Sequence, residues 1–290
     1  MYYRYKSRKK DRTYLKVVFY LIIAGVVFFV LFHYRNQLMF WKISNNRIVA
    51  EINSVAGISD PRLRFEKLKK LKSDLETYRD ENEMESESYL FLSRICYSLG
   101  IAGMADDFTD IYLNESGVNL SPESAKYFTE SIKNSLKAIA LLDGKGIDSG
   151  DMFILAGACH FTGYYESSEI YDMLKNYAAD GEKISSANAR FFSIICIKAD
   201  RVDEGLAFLQ AKGDVESNVK GRLLWAKALR DAMKNTEAII AFQKILKSAE
   251  DSVSQRIAYS NLGRIYYDQR LYKESLEQYT AALALGDDLN

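Results

Sequence analysis

RIAYSNLGRIYYDQRLYKESLEQYTAALALGDDL, residues Arg256–Leu289, is the stretch whose reading decides the fold. With Arg256 counted as position 1, Leu262, Gly263 and Tyr266 stand at positions 7, 8 and 11 and fall on one helix. Ser275, Tyr279 and Ala282 stand at positions 20, 24 and 27 and fall on a second. A small residue at position 8 and another at 20 let the two helices cross closely, while larger residues fill the space around the crossing. The pattern recurs 37 residues earlier, where Trp225, Ala226, Leu229, Ala238, Phe242 and Ile245 hold the same positions, with three extra residues in the intervening loop. A further 33 residues back come Phe192, Ser193, Cys196, Gly205 and Leu209. Looser versions occur at Leu92, Ser93, Cys96, Ala105 and Thr109, and across Phe153–Tyr177 with Ala156, Cys159 and Ser168 as small positions.

This pattern resembles the tetratricopeptide (TPR) repeat, a helix–turn–helix unit of about 34 residues. The resemblance is clearest over 256–289, good over two units and degenerate across 60–180. It implies an all-α fold, a helical-hairpin solenoid over 60–290 with its best units at 186–218, 219–255 and 256–290. Two departures stand out: Asp287 takes a place where the family often has Pro, and Gly205 weakens the second helix of its unit. Such solenoids are binding scaffolds rather than catalysts. The two prolines agree with a helical body, since Pro61 follows Asp60 and Pro122 follows Ser121, both at plausible helix starts. The second of these helices should run to about Leu142. The first should carry Leu63, Leu68, Leu71 and Leu75 on one side.

The other end of the chain predicts a single transmembrane anchor over 14–34. Val17–Phe32 (VVFYLIIAGVVFFVLF) is an uninterrupted apolar run. As a helix from Tyr14 to Phe32 it would be about 28 Å long, near the thickness of a hydrocarbon core. A cleaved signal peptide is the competing reading, but its apolar part is normally shorter and ends in a small-x-small site, whereas this run ends in His33-Tyr34-Arg35. The tail 1–13 is basic, so by the positive-inside rule it stays cytoplasmic and the body lies across the membrane, at an inner (plasma) membrane facing a periplasm. Residues 35–59 read as a helical stalk.

Charge follows the same division. The chain is neutral overall, with 39 Lys/Arg and 39 Asp/Glu; residues 1–35 hold eight of the bases and one of the acids. The tail therefore suits an anionic inner leaflet, and the remainder is acidic, which argues against general nucleic-acid binding. Cys96, Cys159 and Cys196 are widely spaced and read as small buried residues, with a disulfide between two of them as the alternative. His33 and His160 have no companions at metal-ligand spacing, so no metal or cofactor is expected. Gly144-Lys145-Gly146 lacks the spacing of a phosphate loop, and no nucleophile elbow is present.

The TPR resemblance also implies where a partner sits. First helices line a concave groove, and positions 2, 5, 9, 12 and 13 face it. In the last three units those positions include Arg190 and Lys198, then Lys220, Lys227, Arg230 and Asp231, then Arg264, Tyr267 and Asp268. Six bases against two acids on an acidic body predict capture of an acidic or carboxylate-bearing peptide segment, with Arg able to make bidentate contacts. The competing reading is of ordinary solvated helix positions, some of them paired with neighbouring acids. The carboxylate clamp of chaperone-tail receptors is not assembled, because Arg190, Ile194 and Leu224 hold its places. The expected function is a membrane-anchored, non-enzymatic scaffold in an envelope assembly such as a secretion, translocon-associated or flagellar-motor complex. The alternatives are a regulatory subunit of an envelope enzyme system and an organelle-membrane import receptor with cytosolic repeats. The end of the last helix, Ala281–Leu285, lacks an obvious polar cap, which would suit a homo-oligomer.

Overall fold

In the computed structural model of the chain, the described residues are 50–286 except 52, 56, 82–85, 105–107, 116–117, 144–145, 180–183 and 250. The chain divides into two units, 1–58 and 59–290. In the first, a helical turn at 53–55 closes where the Gly57 N–H reaches the Asn53 carbonyl at 3.3 Å. The tail, the anchor and most of the expected stalk lie outside the described residues. Among the described residues no helix is long and apolar enough to cross a membrane.

The second unit holds, among its described residues, twelve helices and no strand. They are α1 (Pro61–Glu81), α2 (Ser86–Ala102), α3 (Phe108–Asn114), α4 (Pro122–Leu141), α5 (Ser149–Thr162) and α6 (Ser167–Ala179). Then follow α7 (Ser186–Lys198), α8 (Val202–Lys212), α9 (Val219–Asp231), α10 (Asn235–Ser248), α11 (Ser252–Asp268) and α12 (Tyr272–Ala284). Antiparallel hairpins form from α5 and α6, α7 and α8, α9 and α10, and α11 and α12, and each packs on the next.

Within these hairpins one turn recurs. Gly163, Asp200, Met233 and Arg270 all adopt left-handed backbone, with φ of 65°, 59°, 58° and 62°. In each case the next N–H reaches back five residues: Tyr164 to the Cys159 carbonyl, Arg201 to Cys196, Lys234 to Leu229 and Leu271 to Tyr266, at 2.8–2.9 Å. This Schellman closure satisfies the carbonyls of the first helix and turns the chain straight into the second. Accordingly α8, α10 and α12 start without a side-chain cap. The chain enters each new hairpin by a looser route, and there a side chain caps the helix: Asp148, Ser185, Asn218 and Asp251 accept from the N–H three residues on. The turn places α5–α6 in the same series, so Phe153–Tyr177 belongs to a full repeat. Its Ala156 and Cys159 are buried as expected, but Ser168 is exposed.

The crossings are close because the small positions are small. Ser193, Ala226 and Ala238 are wholly buried, and the Ser275 hydroxyl donates to the Gly263 carbonyl at 2.8 Å. A Cβ on Gly205 would lie 2.8 Å from the Ser193 carbonyl oxygen, a backbone atom that cannot swing aside. Its cost to helix propensity is thus offset by a hairpin approach that no other residue permits. Gly205→Val should destabilise the domain by about 3 kcal/mol through overpacking. Denaturant titration of the full chain in detergent would check this, and a loss under about 0.5 kcal/mol would show that α7 and α8 can separate freely.

The first hairpin departs from the expected register. Ala105 and Thr109 were to lie on the partner helix of α2, yet α2 pairs with α4, and Ser131 and Ser135 fill those places 26 residues later. The buried Ser93 hydroxyl lies 3.0 Å from that of Ser131 and 2.6 Å from that of Ser135. An insertion containing α3 therefore separates the two helices of this hairpin. On α4, Ser121 caps and Pro122 starts the helix, as expected. On α1, Leu68, Leu71 and Leu75 are buried, but Leu63 is 48% exposed. At five residues before Leu68 it falls well round the helix from the i, i+3, i+7 face. Cys96, Cys159 and Cys196 are free buried thiols, each pushed up to about 12 chiefly by burial.

Candidate functional site

Helix α3 reaches away from its own hairpin and packs against α7 and α9. Its residues Tyr112 and Leu113, 7% and 4% exposed, belong to the same hydrophobic cluster as Leu223, Leu229 and Leu262 of the last two repeats. The Asn114 end of α3 hands on to Glu115, which takes a left-handed φ of 52° and turns its carboxylate into the row of first helices. Three cations from α9 and α11 converge there. Lys227 Nζ donates to Oε1 at 2.6 Å, Arg230 Nη2 donates to the same oxygen, and Arg264 Nη1 donates to Oε2 at 2.7 Å.

The surrounding bonds fix those cations. Arg230 Nη1 donates to the Asn261 amide oxygen at 2.6 Å, and its Nη2 reaches Asp231 at 2.6 Å. Asn261 is itself held by donation from its amide to the Ile257 carbonyl at 2.7 Å. The Tyr112 hydroxyl donates to Asp231 at 2.5 Å, and Lys227 lies over the Tyr112 ring at 4.9 Å. At the rim Lys220 pairs with Asp110 at 2.7 Å. Lys227 is 2% exposed and Arg230 9%, whereas Arg264 stands 53% exposed.

Partial desolvation works against the charge on Glu115, yet hydrogen bonds from Lys227 and Arg230 outweigh it and hold the carboxyl at about 2. Burial lowers the Lys227 ammonium from its usual value, with Asp231 and Glu115 opposing and the neighbouring Arg230 adding to the fall. Both groups are lowered, which favours the charged form of Glu115 and disfavours that of Lys227, because Glu115 keeps part of its water while Lys227 has lost nearly all of it. Charged Glu115 is the firmer of the two states, since three cations address it. A depressed carboxyl stabilises above its unfolded value of 4.5 and loses that contribution as pH falls toward 2. The gap in thermal midpoint between wild type and Glu115→Gln should thus be constant from pH 5 to 7 and narrow at pH 3. A gap that does not change with pH would mean that the charge of Glu115 contributes nothing.

Five of the seven groove residues expected from sequence come together around this segment. Lys220, Lys227, Arg230 and Arg264 bind it directly. Lys198 stands exposed beside a 360 Å³ cavity that Tyr112, Glu115 and His160 also line, and partial desolvation lowers its ammonium while Asp231 pulls the other way. Arg190 and Tyr267 lie apart: Arg190 Nε donates to the Ser186 carbonyl of its own helix at 3.2 Å, and Tyr267 packs edge-on to Tyr272 at 5.6 Å. Glu115 also lines a 500 Å³ cavity with Arg230, Arg256, Ser260, Asn261 and Arg264 on its walls. Tyr112 and Glu115 were missed by sequence reasoning. The signal available was charge, because 104–121 contains four acids and no Lys or Arg. Among the described residues no group of three or more His, Cys, Asp and Glu could hold a metal ion.

The repeated hairpin, its shared turn and its small-residue crossings define an all-α, TPR-like helical-hairpin domain. No protein-family model matches the chain, and no curated protein matches it. Among solved structures it is similar to MamA MSR-1, at 17% identity and a TM-score of 0.46, over 63% of this chain and 100% of that one. It is also similar to MamA AMB-1, at 17% identity and a TM-score of 0.44, over 64% and 96% respectively. YrrB, described as a TPR protein with an unusual peptide-binding site, is similar at 13% identity and a TM-score of 0.44, over 63% and 94%.

Proposed function

We propose that the chain is a membrane-anchored, non-enzymatic scaffold whose groove captures acidic segments of protein partners in an envelope assembly. The observation that carries the groove is the convergence of Lys227, Arg230 and Arg264 from two repeats on a single carboxylate. Carboxylate recognition by fixed, partly desolvated guanidinium groups is a specific and strong form of charge-assisted bonding. The cluster is titratable and half-enclosed, but its carboxylates and cations are committed to one another in ion pairs rather than poised as acid, base or nucleophile. The anchor rests on the apolar run 17–32 and the basic tail before it.

Arg264→Glu tests the groove with little risk to folding, because Arg264 is the exposed member of the cluster. Crosslinking in intact cells, followed by purification from detergent-solubilised membranes, should recover a partner with an acidic segment from wild type. Recovery should fall at least about tenfold in the variant, the change that a lost charged hydrogen bond brings. Equal recovery would move the binding surface elsewhere. Alkaline extraction tests the anchor separately: the full chain should stay with the membranes, and a chain starting at residue 35 should leave them. Release of the full chain would overturn the anchor.

A further inference from the structure

The occupant of the groove in this structure is the chain itself. We infer that the segment Asp110–Glu115 is a tethered ligand of the groove, holding the place of a partner's acidic segment, which binds by exchange with it. The inference rests on the groove reading above and adds the identity of the competitor and the chemistry of the partner.

Four features carry it. The first is topology: α2 and α4 pack directly together, so the inserted α3 is not needed to build their hairpin and instead spans to α7 and α9. The second is complementarity. Asp110, Tyr112 and Glu115 meet Lys220, Asp231 and the Lys227–Arg230–Arg264 trio, contacts between residues 110 to 149 apart in sequence, and Leu113 enters the apolar cluster beside them. This is the pattern of a bound peptide, with apolar anchors in the middle and charges at its ends. The third is that the seat is incompletely closed. The Glu115 side chain stays 40% exposed, and the cavities of 500 and 360 Å³ that it lines both reach Arg230 and Arg264. A second carboxylate can therefore approach those guanidinium groups before Glu115 leaves. The fourth is charge. Among the described residues the cluster sets three cations, Lys227, Arg230 and Arg264, against the carboxylates Glu115 and Asp231. One positive charge is left over, which favours an incoming anion.

The tethered segment also specifies its replacement. A partner should present an acid, an aromatic two residues on, an apolar residue next and a Glu two residues further, as in Asp110-Ile111-Tyr112-Leu113-Asn114-Glu115. Seven residues of α3 are too few to hold a helix alone in water, so either segment takes its shape from the groove. The apparent affinity for a partner is then reduced by the fraction of time that the seat is filled from within.

The test uses the full chain in detergent and a fluorescent peptide copying residues 104–118. Wild type, Glu115→Gln, Asp110→Asn and Arg264→Glu are compared by anisotropy, with circular dichroism melts to show that each is folded. The exchange predicts that Glu115→Gln and Asp110→Asn bind the peptide about tenfold or more tighter than wild type, because each weakens the internal competitor. Arg264→Glu should lose the peptide, and a peptide with Gln at its Glu115 position should bind weakly to all four. If wild type, Glu115→Gln and Asp110→Asn bind equally well and only Arg264→Glu fails, the groove takes acidic segments but the internal one does not compete, and the exchange is overturned. If no folded variant binds the peptide, both the exchange and the groove reading fall.

Discussion

Lys227→Glu is expected to destabilise the domain by about 4 kcal/mol, because it replaces a buried, paired ammonium by a carboxylate facing two others. Lys227 is 2% exposed and lies 2.6 Å from Glu115 and 3.8 Å from Asp231. The variant would set three carboxylates around Arg230, while Arg264 stands at the surface. The Tyr112 ring, over which the ammonium now sits, would face an anion with its negative face. Denaturant unfolding of the full chain in detergent measures the loss. A change below about 1 kcal/mol would mean that Lys227 swings out to water and that the cluster is a surface feature. Lys227→Met gives the contrasting case. It removes the charge but keeps the stem, and Arg230 and Arg264 still serve Glu115, so its cost should be well under half that of the reversal.

The second large effect is expected at Phe128→Ala, with a loss of about 4 kcal/mol. Phe128 is fully buried on α4, stacked on Phe161 at 5.1 Å between ring centroids and edge-on to Tyr97 at 5.6 Å. It therefore joins three helices of the first two hairpins. Gly100 on α2 is shaped to it, since a Cβ there would lie 2.7 Å from the ring. Because the ring is enclosed on several sides, the hole left by alanine cannot collapse without moving a helix, which places the cost at the upper part of the usual range. Gly100→Ala should partly restore Phe128→Ala while destabilising wild type. Simple additivity of the two changes, measured by the same unfolding titration, would show that the two residues do not share a space.

How much of this was legible depends on the physics behind each feature. The crossings of the last three hairpins were readable because they need small side chains, and Ser193, Ala226 and Gly263 record that need directly. The turns were not, although all four share one backbone shape. A left-handed residue constrains φ and not side-chain chemistry, so Gly163, Asp200, Met233 and Arg270 show no common letter. The partner of α2 was misplaced because the spacing Ser93 to Ala105 looked regular, while the true small residue, Ser131, lies beyond an insertion that period-counting cannot cross. Within the candidate site the cations were placed by position in the repeat. Their occupant was hidden because its contacts are long-range, and only the run of acids without bases over 104–121 hinted at it.

A chain of stacked repeats usually touches only its neighbours, so its ends fray independently and its stability is a sum of local terms. Here the insertion ties the first hairpin to the last two, from Tyr112 to Asp231 and from Glu115 to Arg264. The linear stack becomes a closed circuit. Opening α11 and α12 must also release α3, so hydrogen exchange in the last repeat should follow that of the hairpin near the start. Cutting the Glu115 contacts would return the protein to an open stack that unfolds from its C-terminal end inward.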